Sequence, residues 1–122
     1  MNNLRSIPAS ELDRSPCRII GSEWMLITAQ KKDGAINTMT ASWGGLGFLW
    51  GKDVAFIVVR PQRFTKEFVD EADTLSLTFF DPAYKKQLAY LGAVSGRDEP
   101  KIEKAGFTVV REGQTPYFAE AH

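Results

Sequence analysis

Three polar stretches in this chain carry side chains able to hold a small anionic ligand. The first is Asn37-Thr38-Met39-Thr40-Ala41-Ser42-Trp43-Gly44-Gly45. It sets amide and hydroxyl groups beside a Trp and paired glycines. Asn, Thr and Ser donate and accept hydrogen bonds at short range. Gly44, Gly45 and Gly47 let the backbone turn sharply or approach a ligand closely. That composition does not suit a packed strand. It suits a planar ligand with heteroatoms along its edge and an aromatic wall beside it. The plainer reading is a loop between apolar runs.

The second stretch is Arg60-Pro61-Gln62-Arg63-Phe64-Thr65. Arg60 closes an apolar run, and Arg63 and Thr65 stand where a helix begins. A helix N-terminus offers free N–H groups and partial positive charge. Arg adds a planar fork for phosphate oxygens, and the Thr hydroxyl adds a donor. Together they describe a phosphate cradle; a solvated turn with a capping Thr is the alternative. The third stretch, Ser95-Gly96-Arg97-Asp98 with Lys101, combines hydroxyl, flexible backbone and cations. Its plainer reading makes Asp98 a helix cap and Lys101 a solvated helix residue. Trp24, Trp43 and Trp50 either line a ring pocket or serve core and interface.

Other chemistries are excluded by what the chain lacks. Its one histidine is His122, which removes Ser-His-Asp and Cys-His catalysis and histidine metal sites. No catalytic side chain and no metal ligand is expected, so chemistry would belong to a cofactor. Cys17 stands alone, fits a reducing compartment, and reads as a small half-buried hydrophobe. Fifteen basic and fifteen acidic residues cancel, which argues against nucleic acid but leaves room for a site for one phosphate. Met1 to Ile7 has no apolar signal core, and no apolar run approaches the ~20 residues of a membrane helix. No membrane partner is expected, and the cytoplasm is the default location. No GxGxxG follows a strand, and Gly44-Gly45-Leu46-Gly47 lacks the Lys-Ser/Thr of a P-loop.

The elements that must position these stretches are short. Residues 1–14 read as an N-terminal arm. Ser15-Pro16 starts a helical turn over 16–20 that Gly21 ends. Trp24–Ala29 is a buried strand, and Lys31-Lys32-Asp33-Gly34 turns it into a second strand running from about Ala35 to Ser42. Val54–Val59, apolar on both faces, is the clearest strand, with Lys52-Asp53 as the turn before it. Thr65 caps a helix to about Ala72, with Phe64, Phe68 and Val69 as its apolar stripe. Thr74–Phe80 alternates as a half-buried strand. Asp81-Pro82 opens a helix that Gly92 stops. A turn over Lys101–Ala105 ends at Gly106. Strands follow at Phe107–Val110 and Tyr117–Ala121, around a turn at Glu112–Pro116. The fold expected is one mainly antiparallel β domain, residues 1–122, with short peripheral helices around a small barrel.

Taken jointly and in order, five pieces resemble the flavin reductase-like family of FMN-binding split barrels, including flavoredoxin-type proteins. They are Glu23–Ala29 (EWMLITA), Asn37–Gly44 (NTMTASWG), Val58–Thr65 (VVRPQRFT), Thr74–Phe80 (TLSLTFF), and Ser95–Asp98 (SGRD) with Lys101. The resemblance runs roughly from Pro16 to Tyr117. It implies a six-stranded split β-barrel that forms a homodimer, with flavin near the dimer interface. It places the flavin ring against Thr40, Ala41, Ser42 and Trp43, with Thr38 in the same stretch. It places the phosphate near Arg60, Arg63 and Thr65. Ser95, Gly96, Arg97 and Lys101 would close the site. The activity implied is NAD(P)H-dependent flavin reduction, with hydride delivered to flavin N5; FMN is the expected cofactor and FAD the alternative. A second reading is an FMN-binding electron carrier or sensor that does not oxidise a nicotinamide. Family members usually continue past the point where this chain stops, through at least one more strand. A barrel incomplete at the C-terminus leaves unpaired edges. The third reading is therefore an interaction protein that has lost its flavin.

Overall fold

The computed structural model describes residues 4–122; the first three residues of the expected arm lie outside them. From Leu4 to Ser15 the chain is irregular apart from a 3-10 turn at Ala9–Glu11. Helix α1 (Pro16–Gly21) starts as the sequence predicts, with Pro16 at its first turn and Ser15 Oγ accepting from Arg18 N. It buries Ile19 and Ile20 and leaves Cys17 exposed, so Cys17 is not the half-buried hydrophobe expected.

Strand β1 (Met25–Gln30) is the centre of the molecule. It pairs antiparallel with β2 (Ile36–Ala41) on one side and with β5 (Ser76–Thr78) on the other. Its first five residues are buried because neighbours cover both faces, as its unbroken apolar run requires. The β1–β2 turn is the expected one. Gly34 takes φ 92°, and Asp33 Oδ1 accepts from Ala35 N.

Strand β2 overturns one expectation. Its amide and hydroxyl residues form a packed strand, with Asn37 and Thr38 buried. Burial of such groups is tolerated only when they are hydrogen-bonded, and each one is. Thr38 Oγ1 bonds Thr28 Oγ1 at 2.8 Å and Ile27 O at 3.1 Å. Asn37 Nδ2 donates to Thr65 Oγ1, and Thr40 Oγ1 donates to Leu88 O.

The glycine run that follows is also a strand. β3 (Gly44–Leu49) pairs antiparallel with β4 (Lys52–Ile57), and Trp50-Gly51, both at positive φ, make the turn. The turn therefore lies before Lys52-Asp53. Two positive-φ residues match the right-handed twist of a two-residue hairpin, and Trp50 gives no compositional sign of it. Gly44 is required: a Cβ there would lie 2.4 Å from the Phe56 carbonyl. β4, the most strand-like run in the sequence, is mostly exposed rather than buried.

Helix α2 (Thr65–Glu71) buries Phe68. After β5, shorter than the predicted strand, Asp81 Oδ1 accepts from Ala83 N and a 3-10 turn (Pro82–Tyr84) leads into α3 (Lys85–Ala93). Gly92 lies within α3 and does not stop it. Helix α4 (Lys101–Ala105) ends at Gly106, φ 80°, as expected. Strands β6 (Val109–Glu112) and β7 (Thr115–Phe118) form the last antiparallel pair. β7 starts before Tyr117 and includes buried Pro116 opposite Arg111.

Among the described residues seven strands, all antiparallel, form sheets β2-β1-β5, β3-β4 and β6-β7, and β7 packs on β1 and β5. Two apolar clusters lie on either side of β1. Met25, Ile27 and Met39 pack with α1; Leu26, Phe80, Leu88, Leu91, Phe107 and Phe118 pack between α3 and β7. Phe80 and Phe107 stack with ring centroids 5.0 Å apart. The architecture is mainly β with short peripheral helices, as the sequence predicts.

Candidate functional site

The end of β2, the turn before α2 and the last turn of α3 converge on three adjoining hollows. One, of about 160 Å3, lies between Thr40, Ala41, Ser42, Trp43, Val58, Arg60 and Arg63. A second, of about 380 Å3, shares Thr40, Ala41 and Ser42 and continues along Trp24, Leu88, Ala89, Gly92 and Ala93. The third, of about 230 Å3, shares Arg63 with the first and Gly92 and Ala93 with the second, and is lined also by Asn37, Gln62, Thr65, Ser95 and Lys101. No carboxylate belongs to these linings, while Arg60, Arg63 and Lys101 do. The donor set matches an anion.

Local chemistry fixes each group. The chain turns after β4, with Arg63 N donating to Arg60 O at 3.0 Å. With the Gln62 carboxamide oxygen facing Arg60, it accepts from Arg60 Nε at 2.9 Å. Arg63 is half-buried, and burial, then the charge of Arg60, lowers its pKa. Thr65 opens α2 but does not cap it; its hydroxyl faces Asn37. The seven-residue helix adds little dipole, so side chains would have to supply the hold on an anion.

Lys101 is not the solvated helix residue of the plainer reading. It is only 3% exposed, and its Nζ donates to Leu91 O and Val94 O, both at 3.0 Å. A cation here meets the carbonyls that end α3. Burial, then the charge of Arg63, pulls its pKa down to about 8. Gly96 packs so closely on Asn37 that a Cβ would lie 2.2 Å from Oδ1.

The structure thus brings together Thr40, Ala41, Ser42, Trp43, Arg60, Arg63, Thr65, Ser95 and Lys101. Gly96 stands just behind, against Asn37. Two residues of the expected set are placed elsewhere. Thr38 is fully buried and bonded within the β1–β2 pair. Arg97 is exposed, pairs with Glu67 and lies over the Phe64 ring at 4.6 Å. The Thr40 hydroxyl spends its proton on Leu88 O, so only its lone pair faces a ligand. Sequence reasoning named Asn37 only as part of a polar stretch and missed Gly92, whose missing Cβ admits Thr40, 3.1 Å from where that atom would stand. A glycine at the predicted end of a helix looks like a stop signal, which hides this packing role.

Among the described residues, no group of three or more His, Cys, Asp or Glu could hold a metal ion, and no helix is long and apolar enough to cross a membrane. No family model and no curated protein matches the chain. Solved structures do. Flavoredoxin of Desulfovibrio vulgaris (Miyazaki F) superposes with a TM-score of 0.72 at 24% identity, over 80% of this chain and 54% of that one. An FMN-binding domain of a flavin reductases-like enzyme from Shewanella baltica OS155 gives 0.71 at 16% identity, over 87% and 56%. Nitrilotriacetate monooxygenase component B from Bacillus cereus gives 0.67 at 20%, over 99% and 65%. The chain spans between about half and two thirds of the length of these proteins. The resemblance read from the motifs is thus borne out in three dimensions: this chain has the fold of the flavin reductase-like, FMN-binding proteins.

Proposed function

We propose that the chain binds FMN in the cleft between β2, the Arg60–Thr65 turn and α3, and serves as a flavin-dependent oxidoreductase. One observation carries this reading. Arg63, Lys101 and the hydroxyl-bearing Thr65 and Ser95 line one end of a carboxylate-free cleft, Arg60 stands beside Thr40–Trp43 in the adjoining hollow, and Trp24 walls the far end. That division matches a ligand with a phosphate at one end and a flat, hydrogen-bonding ring at the other. Arg60, Arg63, Thr65, Ser95 and Lys101 would hold the phosphate. Ala41, Ser42 and Trp43 would hold and wall the ring. The flavin, when bound, supplies the capacity to accept a hydride from NAD(P)H and pass electrons on. The protein's own part is to bind and orient it, with no side chain acting as acid or base.

The solved structures of the same fold support the flavin part of this reading, since two are described as a flavoredoxin and an FMN-binding domain. The homodimer belongs to it as well. Trp43 and Val58 sit at the cleft and are exposed, and they adjoin the largely exposed apolar β3–β4 hairpin. An exposed patch of that kind marks an interaction surface. A second copy would cover it and close the flavin site.

The test is a visible absorption spectrum of the purified protein, followed by titration with FMN and with riboflavin. Stoichiometric FMN binding, weaker riboflavin binding, and NADH or NADPH oxidation with FMN present support the enzyme. Binding without oxidation supports an electron carrier or sensor. No binding in the titration rejects the flavin reading.

A further inference from the structure

Asn37 is the buried polar group on which the three segments of the phosphate end meet. It stands on β2, is 4% exposed, and reaches the first residue of α2 through Nδ2 and Gly96 of the Ser95–Asp98 loop through Oδ1. The carboxamide nitrogen can only donate, so at 2.8 Å Thr65 Oγ1 must accept. A Thr hydroxyl has one proton. With its oxygen already accepting from Asn37, that proton is left for another acceptor. Thr65 lines the same hollow as Arg63, Ser95 and Lys101. A phosphate oxygen is the acceptor such a hollow would take. In the orientation observed, Nδ2 faces Thr65 and Oδ1 faces Gly96. In the reversed orientation the Asn37 oxygen would consume the proton.

We propose that Asn37 is a positioning residue for the phosphate end of the cleft: it holds the Thr65 hydroxyl as a donor toward a phosphate monoester, and so sets the preference for FMN over riboflavin. The inference rests on the flavin reading above and goes beyond it by naming what orients the phosphate donor. Gly96 belongs to the same device, because only a residue without Cβ fits against Oδ1.

The experiment measures FMN and riboflavin affinities by absorbance titration for wild type, Asn37→Ala, Gly96→Ala, Thr65→Ser, Thr65→Val and the Asn37→Ala/Thr65→Val double variant. One hydrogen bond to a charged group corresponds to about tenfold in affinity. Asn37→Ala and Thr65→Val are each expected to weaken FMN about tenfold and leave riboflavin within about twofold of wild type. The double variant is expected to lose no more than Thr65→Val alone, because Asn37 acts through Thr65. Thr65→Ser keeps the preference. Gly96→Ala reproduces the Asn37→Ala loss while leaving Asn37 in place, which decides the matter if Asn37→Ala does not fold. An unchanged FMN-to-riboflavin ratio in the folded variants, an equal loss for both ligands, or additive losses in the double variant would overturn the proposal. Wild-type protein that binds no FMN overturns it together with the flavin reading.

Discussion

Lys101 joins the framework of the cleft to its charge. Its Nζ ties off the last carbonyls of α3 while Lys101 lines the hollow proposed for the phosphate, and its pKa is held down to about 8 by burial and by Arg63. The sign of the consequence follows. In the unfolded chain Lys101 would titrate near the ordinary 10.5. Between about 8 and 10.5 the unfolded chain binds more protons, so this residue makes stability rise with pH across that window. A bound phosphate acts in the opposite direction. Its negative charge favours the protonated amine and raises its pKa, so binding is coupled to proton uptake above pH 8. FMN affinity is therefore expected to fall as the pH is raised through about 8. Riboflavin affinity should show no such fall. Lys101→Gln, which cannot titrate, should lose the step. Calorimetry of FMN binding in buffers of different ionisation enthalpy reads the proton uptake directly; a pH-independent wild-type affinity would reject Lys101 as the titrating group.

At the scale of elements, the β3–β4 hairpin stands apart. Alternate residues point to opposite faces. With Gly45 opposite Phe56 and Phe48 opposite Asp53, Phe48 and Phe56 point to different faces. Both are exposed, at 72% and 60%, and Trp50 at the turn is 91% exposed. A strand apolar on both faces is normally covered on both. Here α1 contacts β3, yet both rings stay exposed, and the proposed occupant is a second copy. Phe48→Asp with Phe56→Asp is expected to shift the protein to monomer in sedimentation velocity. Each lost aromatic burial should weaken association about tenfold or more. Far-UV circular dichroism should be unchanged, because neither ring belongs to the core clusters. FMN affinity should fall with the dimer if the partner completes the cleft. A wild-type protein that stays monomeric at high concentration would remove the second copy from the reading.

Across the whole molecule, aromatic packing is concentrated where the C-terminal strands meet α3. Phe80 touches Tyr84, Phe107 and Phe118, and Phe80 and Phe118 are almost fully buried. Phe80→Ala should cost about 3–5 kcal/mol in urea denaturation, the usual range for emptying an aromatic site in a core. The loss should appear in FMN-free protein too. A cost below about 1 kcal/mol would mean that β6 and β7 are only loosely docked. The chain also ends in register with this region: His122 N donates to Phe79 O at 2.9 Å.

Much of this was legible in the order of the amino acids, for local reasons. Ser15-Pro16, Asp33-Gly34, Asp81-Pro82 and Gly106 act through their own backbone geometry or nearest neighbours, and they mark the same boundaries in the structure. The unbroken run at β1 demanded cover on both faces and received it. Arg60, Arg63 and Thr65 were readable as a candidate anion site from their types and closeness along the chain, and in the structure they line adjoining hollows. What only tertiary structure decided depends on partners distant in sequence. Polar β2 became a packed strand because Thr28, Thr65 and Leu88 satisfy its side chains. Apolar β4 stayed largely at the surface, with Phe56 exposed and only Ile57 at its end packed against the core. Lys101 left solvent because the end of α3 supplied carbonyls for it, and Gly92 lies inside α3 where Thr40 fills the space a side chain would take. Sequence sets what each residue can bond to; the fold decides which of those bonds are made.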